Sequence, residues 1–185
     1  MNTEIFVLIE RLANLLRSEM RAQGKAMGLQ PVQIEALFYL SICNRYSDTP
    51  QAVADYLGLT KGTVSQTLNV LESRGLMAKQ RDVTDKRLVH LALTREGMDF
   101  LTAIAPPPDF SEAVDQVPKR ARQGLEQALK TVLFHYQNQS GRAGFGVCKN
   151  CQYNATKDGQ FFCGLTQEFL EPDDTELICR EFTLD

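Results

Sequence analysis

The chain predicts a mainly α fold with a small β-hairpin and a compact cysteine-rich lobe at its C-terminal end. Three observations carry that prediction. Two short helical segments joined by a fixed turn are followed by a charged hairpin between residues 50 and 95, amphipathic segments flank this unit, and four of the five cysteines fall between residues 148 and 179.

Residues 1–24 read as a helix with Ile5, Leu8, Ile9, Leu12, Leu15 and Leu16 in one apolar stripe and Arg11 and Arg17 outside it. A stripe of that length has few places to bury itself in a chain of 185 residues, so it is expected to meet a second copy rather than the chain's own core. Gln30 to Asn44 is a second, more apolar helix, opened by Pro31 at a favourable early position. Cys43, alone within it, reads as a buried small hydrophobe.

The next helix, Gln51 to Leu57, stops at Gly58, the residue best able to take positive φ at a helix C-terminus. Leu59 enters a short turn and Thr60 caps a further helix, in which Val64, Leu68 and Leu71 recur at helical spacing. That phase leaves Lys61, Thr63, Ser65, Gln66 and Asn69 on outward faces, and Ala54 is small enough for the two helices to cross closely. The arrangement is a helix-turn-helix whose second helix is free to meet base edges and phosphates. After Gly75, Leu76–Arg81 and Leu88–Leu93 read as two strands, and Asp82 to Arg87 is the loop between them. We read this loop as a wing. Asp85 is expected to pair with a nearby Arg or Lys and stiffen it, while Lys86 or Arg87 reaches the concentrated negative potential of a minor groove.

From Leu29 to Gly97 the pattern Leu-Gln-Pro-x-Gln, Val-Ala-Asp-Tyr-Leu-Gly-Leu, Thr-Val-Ser-Gln, Leu-Glu-Ser-Arg-Gly-Leu, Asp-Lys-Arg and Leu-Thr-Arg-Glu-Gly resembles the MarR family of winged-helix transcription regulators. The resemblance implies a homodimer that binds a pseudo-palindromic operator, with the flanking helices interleaved between subunits. Asp85 and Arg87 match that family's wing Asp and Arg, and Lys86 stands where Arg is usual, which keeps the charge but loses the fork geometry.

Thr94 caps a helix through about Ile104, and Pro106-Pro107-Pro108 breaks it and reads as a stiff spacer. A long helix from about Val117 to Gln137 carries Leu125, Ala128, Leu129, Val132, Leu133 and Tyr136 on one side. Residues 141–146 lack the Lys and Ser/Thr of a phosphate-cradling loop and read as a linker.

Cys148, Cys151, Cys163 and Cys179 close the chain with 2, 11 and 15 residues between them. Disulfides are disfavoured in the cytoplasm, where we expect the chain to reside, so thiolate coordination of one metal centre is the better reading. The spacing, with Cys-Gln-Tyr after the pair and Cys-Arg-Glu-Phe at the end, is similar to the cluster segment of high-potential iron–sulfur proteins, although the loop lengths depart from it. Zinc sites more often use two Cys-x2-Cys knuckles, and we place a [4Fe-4S] cluster ahead of Zn2+. Six of the fifteen aromatics (Phe145, Tyr153, Phe161, Phe162, Phe169 and Phe182) lie in the same segment and are expected either to shield such a centre or to form the core of a zinc-stapled lobe.

Charge agrees with a DNA partner despite a formal total of −3, because residues 60–95 carry seven Lys or Arg against three Asp or Glu. Residues 140–185 reverse this, with four against eight, so the tail should sit away from the DNA face. No apolar run reaches the length of a membrane span and no basic-then-apolar leader opens the chain. The only histidines, His90 and His135, stand in no nucleophile or metal motif, so no enzyme is expected. The sequence therefore divides into a winged-helix unit with dimerisation helices over 1–139, its DNA-binding core at 29–97, and a cysteine lobe over 140–185. The expected function is a DNA-binding transcriptional regulator sensing redox or metal state. Two other readings stay open: a regulator with structural zinc and a small organic effector, and a redox or electron-transfer protein that uses the winged helix for protein contacts.

Overall fold

The computed structural model describes residues 2–141 and 144–184. Met1, Arg142, Ala143 and Asp185 lie outside the described residues, and with Arg142 and Ala143 goes the middle of the linker expected at 141–146. The order of elements is α1 (Asn2–Ala26), α2 (Pro31–Ile42), α3 (Pro50–Leu57), α4 (Lys61–Ser73), β1 (Met77–Arg81), β2 (Val89–Leu93), α5 (Arg95–Ile104), α6 (Pro108–Asp115), α7 (Lys119–Gln139), β3 (Gly146–Val147), β4 (Asn154–Lys157), β5 (Gln160–Cys163), β6 (Glu168–Phe169), α8 (Pro172–Glu176) and β7 (Ile178–Cys179). No helix among the described residues is long and apolar enough to cross a membrane.

The core is organised around α2. Its Ile34, Ala36, Leu37, Tyr39 and Leu40 are buried, and they meet Val53 of α3, Val64, Leu68 and Leu71 of α4, Met77 and Leu91 of the hairpin, and Leu101 and Ile104 of α5. Local chemistry sets the boundaries as the sequence predicts. Thr49, Thr60 and Thr94 each accept a hydrogen bond from a backbone N–H in the first turn of the following helix. Gly58 takes φ of 66°, which lets the chain reverse between α3 and α4 without a Cβ clash. Gly97 answers a different need: a Cβ there would stand 2.1 Å from the Leu76 carbonyl oxygen, so only glycine lets α5 pack against the start of the hairpin. The strands pair antiparallel from Met77 opposite Leu93 to Arg81 opposite Val89.

Two expectations change. The triple proline is not a spacer: Pro108 opens α6, a helix of 8 residues that periodicity did not reveal, and α7 begins at Lys119 rather than Val117. Proline at the first helical position lacks only an amide that would have no intrahelical partner anyway, so the same residues that stop α5 can start α6. The stripes on α1 and α7 stay out of the single chain's core, as expected: Ile5, Leu8, Leu12 and Leu15 on α1 and Leu125, Leu129, Leu133 and Tyr136 on α7 are exposed.

The tail builds two small sheets, β3 with β7 and β4–β5–β6. It also docks on the winged-helix unit. The Asn44 N–H donates to the Ile178 carbonyl at 2.9 Å, Cys43 bridges Ile178, and Phe145 packs edge-on against Tyr39 and Tyr56 with ring centroids 5.9 and 5.1 Å away.

Candidate functional site

The outward face of α4 stands where the sequence places it. Val64, Thr67, Leu68 and Leu71 are buried, while Lys61, Thr63, Ser65, Gln66 and Asn69 are exposed. Their environments differ. The Thr63 hydroxyl shares a 3.0 Å hydrogen bond with the capping Thr60, and the Asn69 carbonyl oxygen accepts from Lys79 Nζ of β1 at 2.6 Å. Lys79 also reaches Glu72 at 2.7 Å, so Asn69 belongs to a bracket that fixes the hairpin against α4. Among the described residues no hydrogen bond engages the side chain of Ser65 or Gln66. A cleft of about 350 Å³ runs between α4 and the wing, with Lys61 and Ser65 on the helix side and Lys79 and Arg87 on the hairpin side. Lys86 and Arg87 are fully on the surface side of the loop and exposed.

The wing is stiffened by a residue the sequence reading passed over. Asp82 Oδ1 accepts from the Thr84 N–H at 2.7 Å, the Thr84 hydroxyl at 2.6 Å and the Asp85 N–H at 2.7 Å. These bonds, the Thr84 hydroxyl first, hold its carboxyl well below the usual carboxylate range. Asp85, expected to pair with an Arg or Lys, instead accepts the Arg87 N–H at 3.0 Å and forms no ion pair among the described residues. An aspartate followed two positions later by a threonine is a legible Asx-turn signal, and it could have pointed to Asp82.

Asp82 Oδ2 also faces His90 Nε2 at 3.3 Å, while His90 Nδ1 meets Asp48 Oδ1 at 2.6 Å. Asp48 lies between α2 and α3, and its carbonyl accepts the Leu91 N–H at 2.7 Å. His90 therefore clamps the wing to the helix-turn-helix. Burial pulls its imidazole down, but the hydrogen bonds and charges of Asp48 and Asp82 outweigh burial and leave its pKa raised. Burial dominates at Asp48 and raises that carboxyl.

Cys148, Cys151, Cys163 and Cys179 line one small cavity, closed by Tyr153, Leu165 and Leu170 of the tail and by Asn44 and Tyr46 of the winged-helix unit. All four are free thiols, and burial pushes Cys148 and Cys179 up from the ordinary thiol value. Donors surround the sulfurs: Asn154 Nδ2 lies 3.6 Å from Cys148 Sγ and the Thr183 N–H 3.5 Å from Cys151 Sγ. Asn44 is only 1% exposed, and its Nδ2 finds no acceptor among the described residues. No three Cys, His, Asp or Glu side chains among the described residues, however, form a group that could hold a single metal ion. The expected aromatic shell is also not what encloses the cavity. Phe145 joins the winged-helix core, Phe161 and Phe169 are exposed, and Tyr153 alone of the six lines the cavity.

A helix-turn-helix with an open polar helix, followed by a pinned β-hairpin, defines a winged-helix protein. The chain belongs to the MarR family, whose model matches residues 27–88. It is 30% identical over 108 residues to the HTH-type transcriptional regulator YkoM of Bacillus subtilis (strain 168), covering 53% of this chain and 69% of YkoM. It is 28% identical over 105 residues to the transcriptional repressor MprA of Escherichia coli (strain K12), a match to 55% of this chain. The chain spans about 60% of the length of MprA. The fold is similar to that of CouR from Rhodococcus jostii RHA1 bound to p-coumaroyl-CoA, with a TM-score of 0.56 and 19% identity over 69% of this chain and 90% of that one. It is similar also to S. aureus MepR in its DNA complex, with a TM-score of 0.53 and 22% identity over 69% of this chain and 94% of that one.

The clamp generates a pH prediction. A histidine whose folded pKa exceeds its unfolded value of about 6.5 contributes stability that is fully present below that value and is lost as pH rises through the folded pKa. Beyond the intrinsic chemical rate, amide exchange in β2 should therefore quicken as pH rises past about 6.5, and His90→Gln should flatten that dependence. Wild-type exchange that follows only the intrinsic chemical rate would remove His90 as the clamp.

Proposed function

We propose that this protein is a homodimeric, cytoplasmic transcriptional regulator that binds a pseudo-palindromic duplex operator and carries a four-cysteine metal centre as its sensing element. The observation that carries the DNA reading is the face of α4: Lys61, Ser65 and Gln66 point outward from a buried Val64–Leu68–Leu71 seam, beside a wing tip bearing Lys86 and Arg87. Phosphate contacts from the basic groups would position the protein, and Ser65 and Gln66 would read base edges. MepR, whose structure holds DNA, and MprA, a named repressor, support the same reading.

Dimerisation is supported by the exposed stripes of α1 and α7, which are too extensive to leave to water. Two copies would present two α4 helices about one DNA turn, roughly 34 Å, apart.

Cys148, Cys151, Cys163 and Cys179 would ligate the centre, and their spacing of 2, 11 and 15 residues places a [4Fe-4S] cluster ahead of Zn2+. A zinc–sulfur bond of about 2.3 Å sets the four sulfurs of a tetrahedral site roughly 3.8 Å apart, whereas a cluster places iron and sulfide between them. The four thiols line one cavity, so the donor set they offer is the all-sulfur one that either group takes. The orphaned Asn44 amide supplies a second argument, because a buried N–H without an acceptor is what a thiolate or sulfide would satisfy.

A small-molecule effector is favoured by a separate observation. A groove of about 900 Å³ between α3, α7 and the tail is lined by Tyr56, Leu133, Tyr136, Phe145 and the Arg180–Asp55 ion pair, a mixture of apolar walls and paired charge. The structure of CouR with p-coumaroyl-CoA supports that reading by analogy.

Three outcomes test these proposals. Gln66→Ala should weaken binding to selected duplexes by about 1–3 kcal/mol while leaving random-sequence binding nearly unchanged, and Arg87→Ala should weaken both and lower the salt slope by about 1. Equal losses on both DNAs for Gln66→Ala, measured by fluorescence anisotropy, would take Gln66 out of base reading. Replacing Leu12 and Leu133 together by Asp should convert a sedimenting dimer into monomer, and a wild type that is already monomeric at micromolar concentration rejects the dimer. Anaerobically reconstituted protein should hold four irons per chain and be brown, and each Cys→Ser variant at the four positions should lose the centre; retention of full iron by all four variants rejects it.

A further inference from the structure

We infer that the four-cysteine centre is read directly by the helix-turn-helix, through the strap Ile178–Cys179–Arg180, so that filling the centre fixes α3 and raises DNA affinity. The inference rests on the reading of the cysteines as a metal centre and adds how that centre acts. Cys179 sits between two residues that both hold the winged-helix unit. On one side Ile178 accepts the Asn44 N–H at 2.9 Å and bridges Cys43 at the end of α2. On the other, the Arg180 N–H donates to Ser47 Oγ at 2.8 Å, and the Arg180 guanidinium meets Asp55 of α3 at 2.7 Å. Asp55 is itself held by Gln51 Nε2 at 2.7 Å, so the guanidinium completes a chain of contacts along a half-buried side of α3.

The strap's own ties to the winged-helix unit are few. They are single hydrogen bonds and one ion pair whose side chains are 34% and 28% exposed, and a solvated pair of that kind holds little by itself. Filling the centre would bind Cys179 to Cys148, Cys151 and Cys163 and thereby hold the strap at its midpoint, which turns weak local contacts into one braced segment. The loop from Asn44 to Asp48 leads into α3, and α3 packs on α4, so an immobilised strap restrains the orientation of the DNA-facing helix within each protomer. A second contact set on the same loop points the same way: Tyr46 and Asn44 line the cysteine cavity, and the Tyr46 hydroxyl donates to Glu168 of the tail at 2.7 Å. Control of this kind needs no change in the spacing of the two subunits. The effector differs between the two states only in the order it imposes, which is sufficient for coupling.

The test uses the full chain in two forms, metal-free and anaerobically reconstituted with iron and sulfide, and duplexes selected from a randomised pool by the reconstituted wild type. Reconstituted wild type should bind those duplexes about tenfold more tightly than the metal-free form, a difference of about 1.4 kcal/mol, and its α3 amides from Val53 to Leu57 should exchange more slowly. Arg180→Gln and Asp55→Asn, both at a solvent-facing pair, should keep the iron content and absorption of the wild type while bringing the affinity ratio and the α3 exchange difference close to one. If both variants keep the full tenfold ratio, the strap is not the route, although the centre stands. If wild type binds iron through the four cysteines and its affinity ratio is already one, the centre is only a staple and the inference fails. If wild type and the Cys→Ser variants hold the same iron, the centre itself is refuted, and the inference falls with it.

Discussion

The hydroxyl of Tyr39 is the constraint on which the rest of the molecule depends. Its ring is wholly buried in the last turn of α2, and a buried phenol must find an acceptor or lose a hydrogen bond it had in water. The Ser47 carbonyl provides one at 2.6 Å, which draws the chain after α2 back across the helix and shapes the segment Asn44–Asp48. The ring itself stacks on Tyr56 of α3 at 4.6 Å and receives the edge of Phe145 from the tail. One side chain thus fixes the loop, the helix after it and the entry of the C-terminal segment.

That loop works on two fronts. Toward the hairpin, Asp48 supplies a carbonyl to Leu91 and a carboxylate to His90, so the wing is aimed by the same residues that start α3. Toward the tail, Asn44 and Ser47 hold the strap, and Arg45 reaches the Phe169 carbonyl at 2.6 Å and Asp174 at 3.5 Å. The acidic tail is consequently anchored at α2–α3 by Arg45 and, with the charges reversed, by the Arg180–Asp55 pair, and among the described residues no ion pair ties it to the basic side chains of α4 or the wing tip. The opposed charges of the two regions, visible in composition, are reconciled by placement.

What was legible in the sequence is what short-range chemistry determines. The helix-turn-helix follows from apolar residues at helical spacing, a glycine able to adopt left-handed φ and threonine caps, each acting within a few residues. The four cysteines were legible as a group because spacing alone brings them together. The docking of the tail was not, because contacts such as Arg180 with Asp55 join residues 125 apart and leave no periodic trace. Strands of 2 residues, as in β3 and β7, are below any pattern that alternation can reveal. Phe145 misled for a related reason. Aromatic content says that a ring will be buried, not against which partner, and Tyr39 and Tyr56 proved the better neighbours. Asp85 was given an ionic partner because cations flank it, when Asp82, with a threonine two residues on, had the local geometry to organise the wing.

The strap also orders the events of folding. The helix-turn-helix and hairpin close through contacts near in sequence, which form early, whereas β7 can find Asn44 and Ser47 only after more than a hundred intervening residues have been made and the loop that receives it has taken shape. In a chain synthesised from its N-terminus, a complete winged helix therefore precedes the four-cysteine cavity, one wall of which it supplies. Assembly of that cavity then becomes a report that the earlier part of the chain has folded correctly, since a misfolded α2–α3 loop would leave the cysteines without the surface against which they assemble.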